Sequence, residues 1–130
     1  MAQLSEAQAA LFEGKNVAAL GTIRPDGTPH VSPVWVDYDG EHVVFNTARG
    51  RAKEQHMARE PKVTLTVWNA ENPYEYVEVV GTAELVDEGA VDHVNSMAKK
   101  YLGQATYPWL QPGEQRVIVK VTPTKALGMK

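Results

Sequence analysis

Arg49, Arg51 and Lys53 alternate around Gly50 in the stretch VVFNTARGRAKEQHMAREP, residues 43–61. An apolar run, Val43-Val44-Phe45, ends in Asn46-Thr47-Ala48, and helix-favouring residues (Ala52, Glu54, Gln55, Met57, Ala58) follow the cations. A turn from a strand into a helix exposes free backbone N–H groups at the positive end of the helix dipole. Glycine there lets the backbone approach a ligand, arginine grips two oxygens with its planar fork, and lysine adds a compact charge. The chemistry is that of a seat for a small phosphorylated anion, with Asn46 and Thr47 adding short polar groups at the strand end. Each charge-assisted hydrogen bond contributes about 1.5–3 kcal/mol. The competing reading is plainer: the three cations are solvated, or paired with Glu54 or Glu60, since charged side chains are mostly exposed.

Other chemistry-bearing residues form weaker patterns. Trp68, Tyr74, Tyr76 and Trp109 are planar aromatics suited to wall a ring-shaped ligand. Ordinary packing explains Trp68 better, whereas Trp109 lies in a polar, proline-rich segment where an unpacked indole is costly. His30, His42, His56 and His93 show no metal-ligand spacing with carboxylates, and His30 alone stands beside a segment of interest. Glu75, Glu78 and Glu84 suggest no paired-carboxylate site, and Ser5 and Ser96 have no nucleophile context. No catalytic residue is assigned from the sequence, and no metal site is expected.

The whole chain sets the limits. Its 130 residues suit one domain, 1–130, with a single hydrophobic core. A hydrophobic content of 43% with 22% charged residues argues against disorder. The net charge of −3 offers no broad basic face for nucleic acid. A local basic cluster on an acidic molecule points instead to a small anionic ligand. With no cysteine there is neither a disulfide nor a thiolate site. The opening MAQLSEAQAALFEGKN lacks the basic start and apolar stretch of a signal peptide, and no apolar run is long enough to span a bilayer. A cytoplasmic chain without membrane or nucleic-acid partners is the expectation.

The elements that position these residues follow from punctuation and periodicity. Ser5 and Gln8 form a capping box and Gly14 a stop, so 6–13 reads as a helix. Strands are expected at 17–23, 29–37 and 41–47, joined by Pro25-Asp26-Gly27 and by a DYDG turn. Pro33 places the second of them at an edge or bulge. The three should form an antiparallel meander. A helix over 52–59, ended by Pro61, leads to strands at 62–68 and 74–86, where Gly81 suggests a bend. Asp87 is the expected N-cap of a helix over 88–102. A loop, 104–115, precedes a last strand at 116–123. Six strands with short peripheral helices describe a mainly β (α+β), six-stranded antiparallel split barrel. Val31 and Trp35 point one way and Val34 and Val36 the other, so the outer apolar face needs a cover, most simply a second copy of the chain.

The succession VAALGTIRPDGTPHVSPVWVDYDGEHVVFNTARGRAKEQHMAREPKVTLTV, with EVVGTAELV and VIVKVTPTKALGM after it, resembles the split β-barrel flavin-binding proteins related to pyridoxamine 5′-phosphate oxidase. Within that family it is most similar to the small branch that uses the deazaflavin coenzyme F420. The resemblance covers about Val17 to Lys130. It implies a homodimer with the cofactor in a groove between subunits. It also implies that Thr47, Arg51 and Lys53 bind the phosphate, with Asn46, Ala48 and Arg49 at the strand end and rim. Ser32, Pro33, Val34 and Trp35 would run beside the ring, with Ser32 or backbone amides bonding its pyrimidine edge, and Trp109 would wall the pocket. The substrate-phosphate residues of the oxidase itself find no match in TPTKALGMK.

Hydride chemistry belongs to such a cofactor, and the protein supplies binding, orientation and a dry pocket. The resemblance therefore implies an oxidoreductase passing hydride from reduced F420 to a conjugated small molecule. Water, Tyr76, Tyr107 or His30 would then protonate the product. Two alternatives stand: the same fold holding FMN, as a flavin reductase or pyridoxamine-oxidase-like enzyme, and a non-catalytic cofactor-binding module.

Overall fold

The computed structural model describes residues 3–129; Met1, Ala2 and Lys130, the ends of the expected domain, lie outside them. Helix α1 (Glu6–Glu13) begins at the expected capping box, with Ser5 and Gln8 satisfying each other's backbone N–H groups. Strands β1 (Val17–Ile23), β2 (Pro29–Trp35), β3 (Asp37–Tyr38) and β4 (Val43–Ala48) precede α2 (Ala52–Arg59). Then come β5 (Lys62–Asn69), β6 (Asn72–Val86), α3 (Ala90–Leu102) and β7 (Arg116–Gly128). The strands form one curled antiparallel sheet in the order β2-β1-β5-β6-β7-β4-β3.

Seven strands stand where six were expected, because residues 29–38 do not run as a single strand. β2 pairs with β1, from Trp35 opposite Val17 to Pro29 opposite Ile23. After Val36 the chain changes partner, and Asp37 and Tyr38 pair with Val44 and Val43. One segment thereby supplies both edges of the sheet, which is how the sheet curls back on itself. The expected meander survives only in halves, since β4 pairs with β7 and β3 and never with β2. Val36 belongs to neither ladder, and its buried polar groups need other partners. Its N–H donates to the Tyr101 hydroxyl at 3.0 Å, and its carbonyl accepts from Lys100 Nζ at 2.6 Å. Pro33 lies on an edge strand, as its missing N–H requires.

Two further expectations change. Asp87 does not cap α3; Gly89, in the left-handed conformation at φ 77°, occupies that position and the helix starts at Ala90. Asp87 is instead taken up by Arg49. The last strand runs five residues past 123, because Thr122 to Gly128 continue against the first half of β6. The register shifts there between Val80 and Gly81, and a Cβ on Gly81 would lie 2.5 Å from the Thr122 carbonyl oxygen. Glycine at the bend is thus a steric requirement.

The core fills the concave side of the sheet with Leu20, Val36, Phe45, Leu65, Val67, Val77, Val79, Val119 and Val121, closed by Leu11 and Phe12 of α1. The outer face of β2 is uncovered at Val31, which is 65% exposed, while Trp35 on that face packs on Tyr101 and Val34 and Val36 are buried. No helix among the described residues is long and apolar enough to cross a membrane.

Candidate functional site

β4 ends at Ala48, and Gly50, at φ 93°, turns the chain into α2. Glu54, three residues inside the helix region, reaches back to accept the Gly50 N–H at 2.7 Å and Arg49 Nη1 at 3.3 Å. Arg49 also holds Asp87 with a two-pronged contact at 3.0 and 2.9 Å. Its backbone N–H donates to the Gln115 carbonyl. Arg49 therefore braces the turn and stands outside the groove, as does buried Ala48. Arg49 thus pairs with Glu54, one of the acidic neighbours considered for it, and with Asp87.

Arg51 and Lys53 behave differently. Both line a groove of about 270 Å³ together with Asn46 and Thr47 of β4 and Arg116 at the head of β7. Pro33, Val34 and Trp35 of β2 form one wall, while Val17, Val94 and Met97 add apolar surface. Tyr107 and Trp109 reach in from the loop before β7. Ser32 does not line the groove, although its hydroxyl is buried and has no hydrogen-bond partner among the described residues.

The polar end of this groove carries an excess of positive charge. Glu114 binds Arg116 Nη1 at 2.7 Å and Arg51 Nη2 at 3.7 Å, so two guanidinium groups share one carboxylate. Lys53 has no ion pair among the described residues. Burial first, then the charges of Arg51 and Arg116, hold its ammonium below the usual lysine range. Thr47 Oγ1 is buried there without a partner among the described residues. An uncompensated cation cluster beside an orphaned hydroxyl is costly unless an anion completes it. These groups fit a phosphate.

The other end is aromatic. Trp35 stacks on Tyr101 with centroids 5.1 Å apart and planes 4° apart. Tyr107 and Trp109 lie at 6.1 and 6.4 Å from Trp35 and touch each other at 5.6 Å. The Tyr107 N–H donates to Asn95 Oδ1 at 2.8 Å, which ties the loop to α3. Trp109, 56% exposed, stands at the rim of the groove.

Of the three side chains considered as proton donors, only Tyr107 lines the groove. His30 faces His56 edge-on at 5.1 Å, and Tyr76 is an exposed side chain of β6. Arg116 was missed in the sequence. A single charge heading the apolar run RVIVKV, two residues after Glu114, was the available signal.

The fold agrees with what is known of other proteins. Residues 4–130 match the family described as pyridoxamine 5′-phosphate oxidase. The chain belongs to that family. It therefore has an oxidoreductase-family fold. It is 33% identical over 89 residues to a pyridoxine/pyridoxamine 5′-phosphate oxidase from Nostoc sp. strain PCC 7120, a stretch that is 68% of this chain and 41% of that protein. The chain thus spans about two fifths of the curated relative it matches. A solved structure named F420 reductase superimposes with a TM-score of 0.85 at 33% identity, covering 95% of this chain and 98% of the other. General stress protein 26 from Bacillus anthracis str. Sterne shares the fold at a TM-score of 0.69 and 20% identity, covering 95% and 97%.

Proposed function

We propose that this protein is a reductase that uses coenzyme F420 to reduce a conjugated small molecule, working as a homodimer whose interface completes the groove. The observation that carries the reading is the site's polarity. A cation cluster with an orphaned threonine hydroxyl lies at one end, and a strip of apolar and aromatic wall at the other. When bound, the deazaflavin supplies a hydride from its ring to an electron-poor acceptor. Similarity to an F420 reductase along nearly the whole chain supports this cofactor over others.

Thr47, Arg51 and Lys53 take the phosphate in this reading, joined by Arg116, while Asn46 serves by holding Arg116. Pro33, Val34 and Trp35 flank the ring, and Trp109 covers it. Ser32, or the backbone groups that β2 presents as an edge strand, bonds the ring's polar margin. Ala48 and Arg49 shape the turn that carries the seat. Proton delivery to the product falls to water or Tyr107. A groove of about 270 Å³ is near the lower limit for small-molecule clefts. The uncovered apolar face of β2 and the exposed Trp109 are where a second subunit would enlarge it.

Titration with purified coenzyme tests the seat: the Arg51→Ala/Lys53→Ala double variant should bind at least an order of magnitude more weakly. Equal affinity would place the phosphate elsewhere. Light scattering across dilution tests the dimer, and a constant monomer mass would overturn it.

The second reading is an FMN enzyme, favoured by the identity to the Nostoc oxidase. Protein purified from a host without deazaflavin distinguishes the two by colour. A yellow flavin spectrum supports FMN, whereas colourless protein that binds added F420 supports the first reading. Tight binding without turnover against any conjugated acceptor would leave only a cofactor-binding module.

A further inference from the structure

Behind the seat, four groups form a chain of hydrogen bonds whose directions can be worked out. Arg116, only 5% exposed, donates from Nε to Asn46 Oδ1 at 2.9 Å. A guanidinium has no acceptor, so this contact fixes which end of the Asn46 amide is oxygen. The opposite end agrees independently: Asn46 Nδ2 donates to the Ala90 carbonyl at 3.0 Å. The same Nδ2 lies 2.9 Å from His93 Nδ1 on α3. With a donor already facing it, His93 Nδ1 must be the acceptor, and the imidazole is neutral with its proton on Nε2. His93 Nε2 is buried without a partner among the described residues, so no outside group overrides that assignment.

We propose that neutral His93 is a positioning residue for the anion seat. Through Asn46 it aims the Arg116 guanidinium into the groove, and protonating the imidazole weakens anion binding there. The inference rests on reading the groove's polar end as an anion seat.

Its physical basis is a conflict of donors. A protonated His93 would present N–H to the Asn46 NH2 group. If the amide turned over to satisfy it, NH2 would then face Arg116 Nε, and the conflict would only move. Unturned, the amide is pushed away by the imidazolium N–H and its bond to Arg116 is strained; turned over, it presents NH2 to Arg116 Nε and that bond is lost. Glu114 would still hold Nη1 at 2.7 Å and draw the guanidinium toward the loop. Tyr107, whose ring lies 5.0 Å from the Arg116 guanidinium carbon, restrains the plane but not its rotation. The charged groups acting on His93 pull in opposite directions: Asp37 on β3 favours its protonation, while Lys120 on β7 opposes it. Burial is the largest influence and holds the imidazole below the ordinary histidine range.

The prediction has an unusual sign. A new positive charge near an anion site ordinarily tightens binding by simple attraction, whereas this relay loosens it. Sulfate is a suitable probe, because it stays a dianion throughout the range and brings no titration of its own. Calorimetric titration at constant ionic strength should show sulfate binding weaken progressively as pH falls from about 7.5, by about tenfold once the imidazole is protonated.

His93→Asn retains an acceptor on the carbon that bears Nδ1 but cannot titrate, and it should flatten that profile. Tighter binding on acidification, or an unchanged profile in His93→Asn, overturns the relay. The wild-type protein gives a second reading without any variant. Carbon and nitrogen shifts of the imidazole should report the Nε2–H tautomer near neutral pH, and an Nδ1–H tautomer would overturn the proposal. Lys53→Met separates the two levels. If that variant binds sulfate as tightly as the wild type, the seat itself is misplaced; if it binds weakly but the wild-type profile has the ordinary sign, only the relay fails.

Discussion

Replacing Lys53 with methionine should move stability and ligand affinity in opposite directions. Methionine keeps most of the aliphatic stem, so the change chiefly removes charge. In the free protein the Lys53 ammonium lies half-buried beside Arg51 and Arg116 without an ion pair of its own among the described residues. Like charges that neighbour one another at a partly exposed site cost a few tenths to about 1 kcal/mol. Relieving them should raise the thermal midpoint by roughly 4 °C for each kcal/mol in a chain of this size. The sign with pH follows from linkage. Because folding depresses this ammonium's pKa, the penalty is present at neutral pH. It disappears as pH climbs from the depressed value toward the ordinary lysine value of about 10.4. The gain from Lys53→Met should therefore shrink in alkaline buffer and also with added salt. With ligand the sign reverses. Losing one charge-assisted hydrogen bond to an anion costs about 1.5–3 kcal/mol, or roughly 10- to 150-fold in affinity. Scanning calorimetry without anion, paired with titration of F420 or FMN, reads both quantities. A variant that is less stable when free, or that binds as tightly as the wild type, would refute the placement of this lysine.

Three other perturbations probe the frame around the site. Tyr101→Phe retains the stack on Trp35 but removes the acceptor of the Val36 N–H and the donor to the Asn16 carbonyl. Urea unfolding should show a loss of about 1–3 kcal/mol, and no measurable loss would mean that the partner change at Val36 needs no bracing. Arg49→Ala should leave anion affinity nearly unchanged, because its guanidinium holds Asp87 and Glu54 and does not line the groove. A tenfold weaker affinity would put this guanidinium in the groove after all. His56 bonds Thr22 at 2.9 Å and is held below the ordinary histidine range by burial, then by His30, Arg24 and Arg59. The unfolded chain therefore takes up the proton first, and stability should fall as pH drops below about 6.5, by at most about 1.4 kcal/mol per unit for this group. Urea midpoints that decline no less steeply in His56→Asn would assign the loss elsewhere.

Much of the frame was legible because local chemistry and tertiary demand agree there. The Ser5–Gln8 box, the eight residues of α2 and the alternation of β5 each rest on near neighbours, and they appear where the pattern puts them. Gly81 was readable as a bend, although the reason, a carbonyl from β7 lying against it, belongs to a residue 41 positions away. The split of residues 29–38 was not legible. An apolar strand looks the same whether it keeps one partner or exchanges it, and α3 supplies the groups that make the exchange affordable.

The basic turn divides along the same line. Its three cations at alternate positions suggest the anion seat proposed above, since side-chain charge and strand-to-helix punctuation are properties of the chain itself. Which cations face the ligand depends on where distant carboxylates fall. Asp87 and Glu54 withdraw Arg49, Glu114 tethers Arg51 only loosely, and Lys53 is left unpaired among the described residues. Arg116 enters the corner solely because β7 lies beside β4, with Arg116 opposite Ala48. Composition and spacing thus determine what kind of ligand suits this protein. Pairing between strands far apart in sequence decides which side chains remain unsatisfied, because each charge is neutralised by whichever group the fold brings within reach.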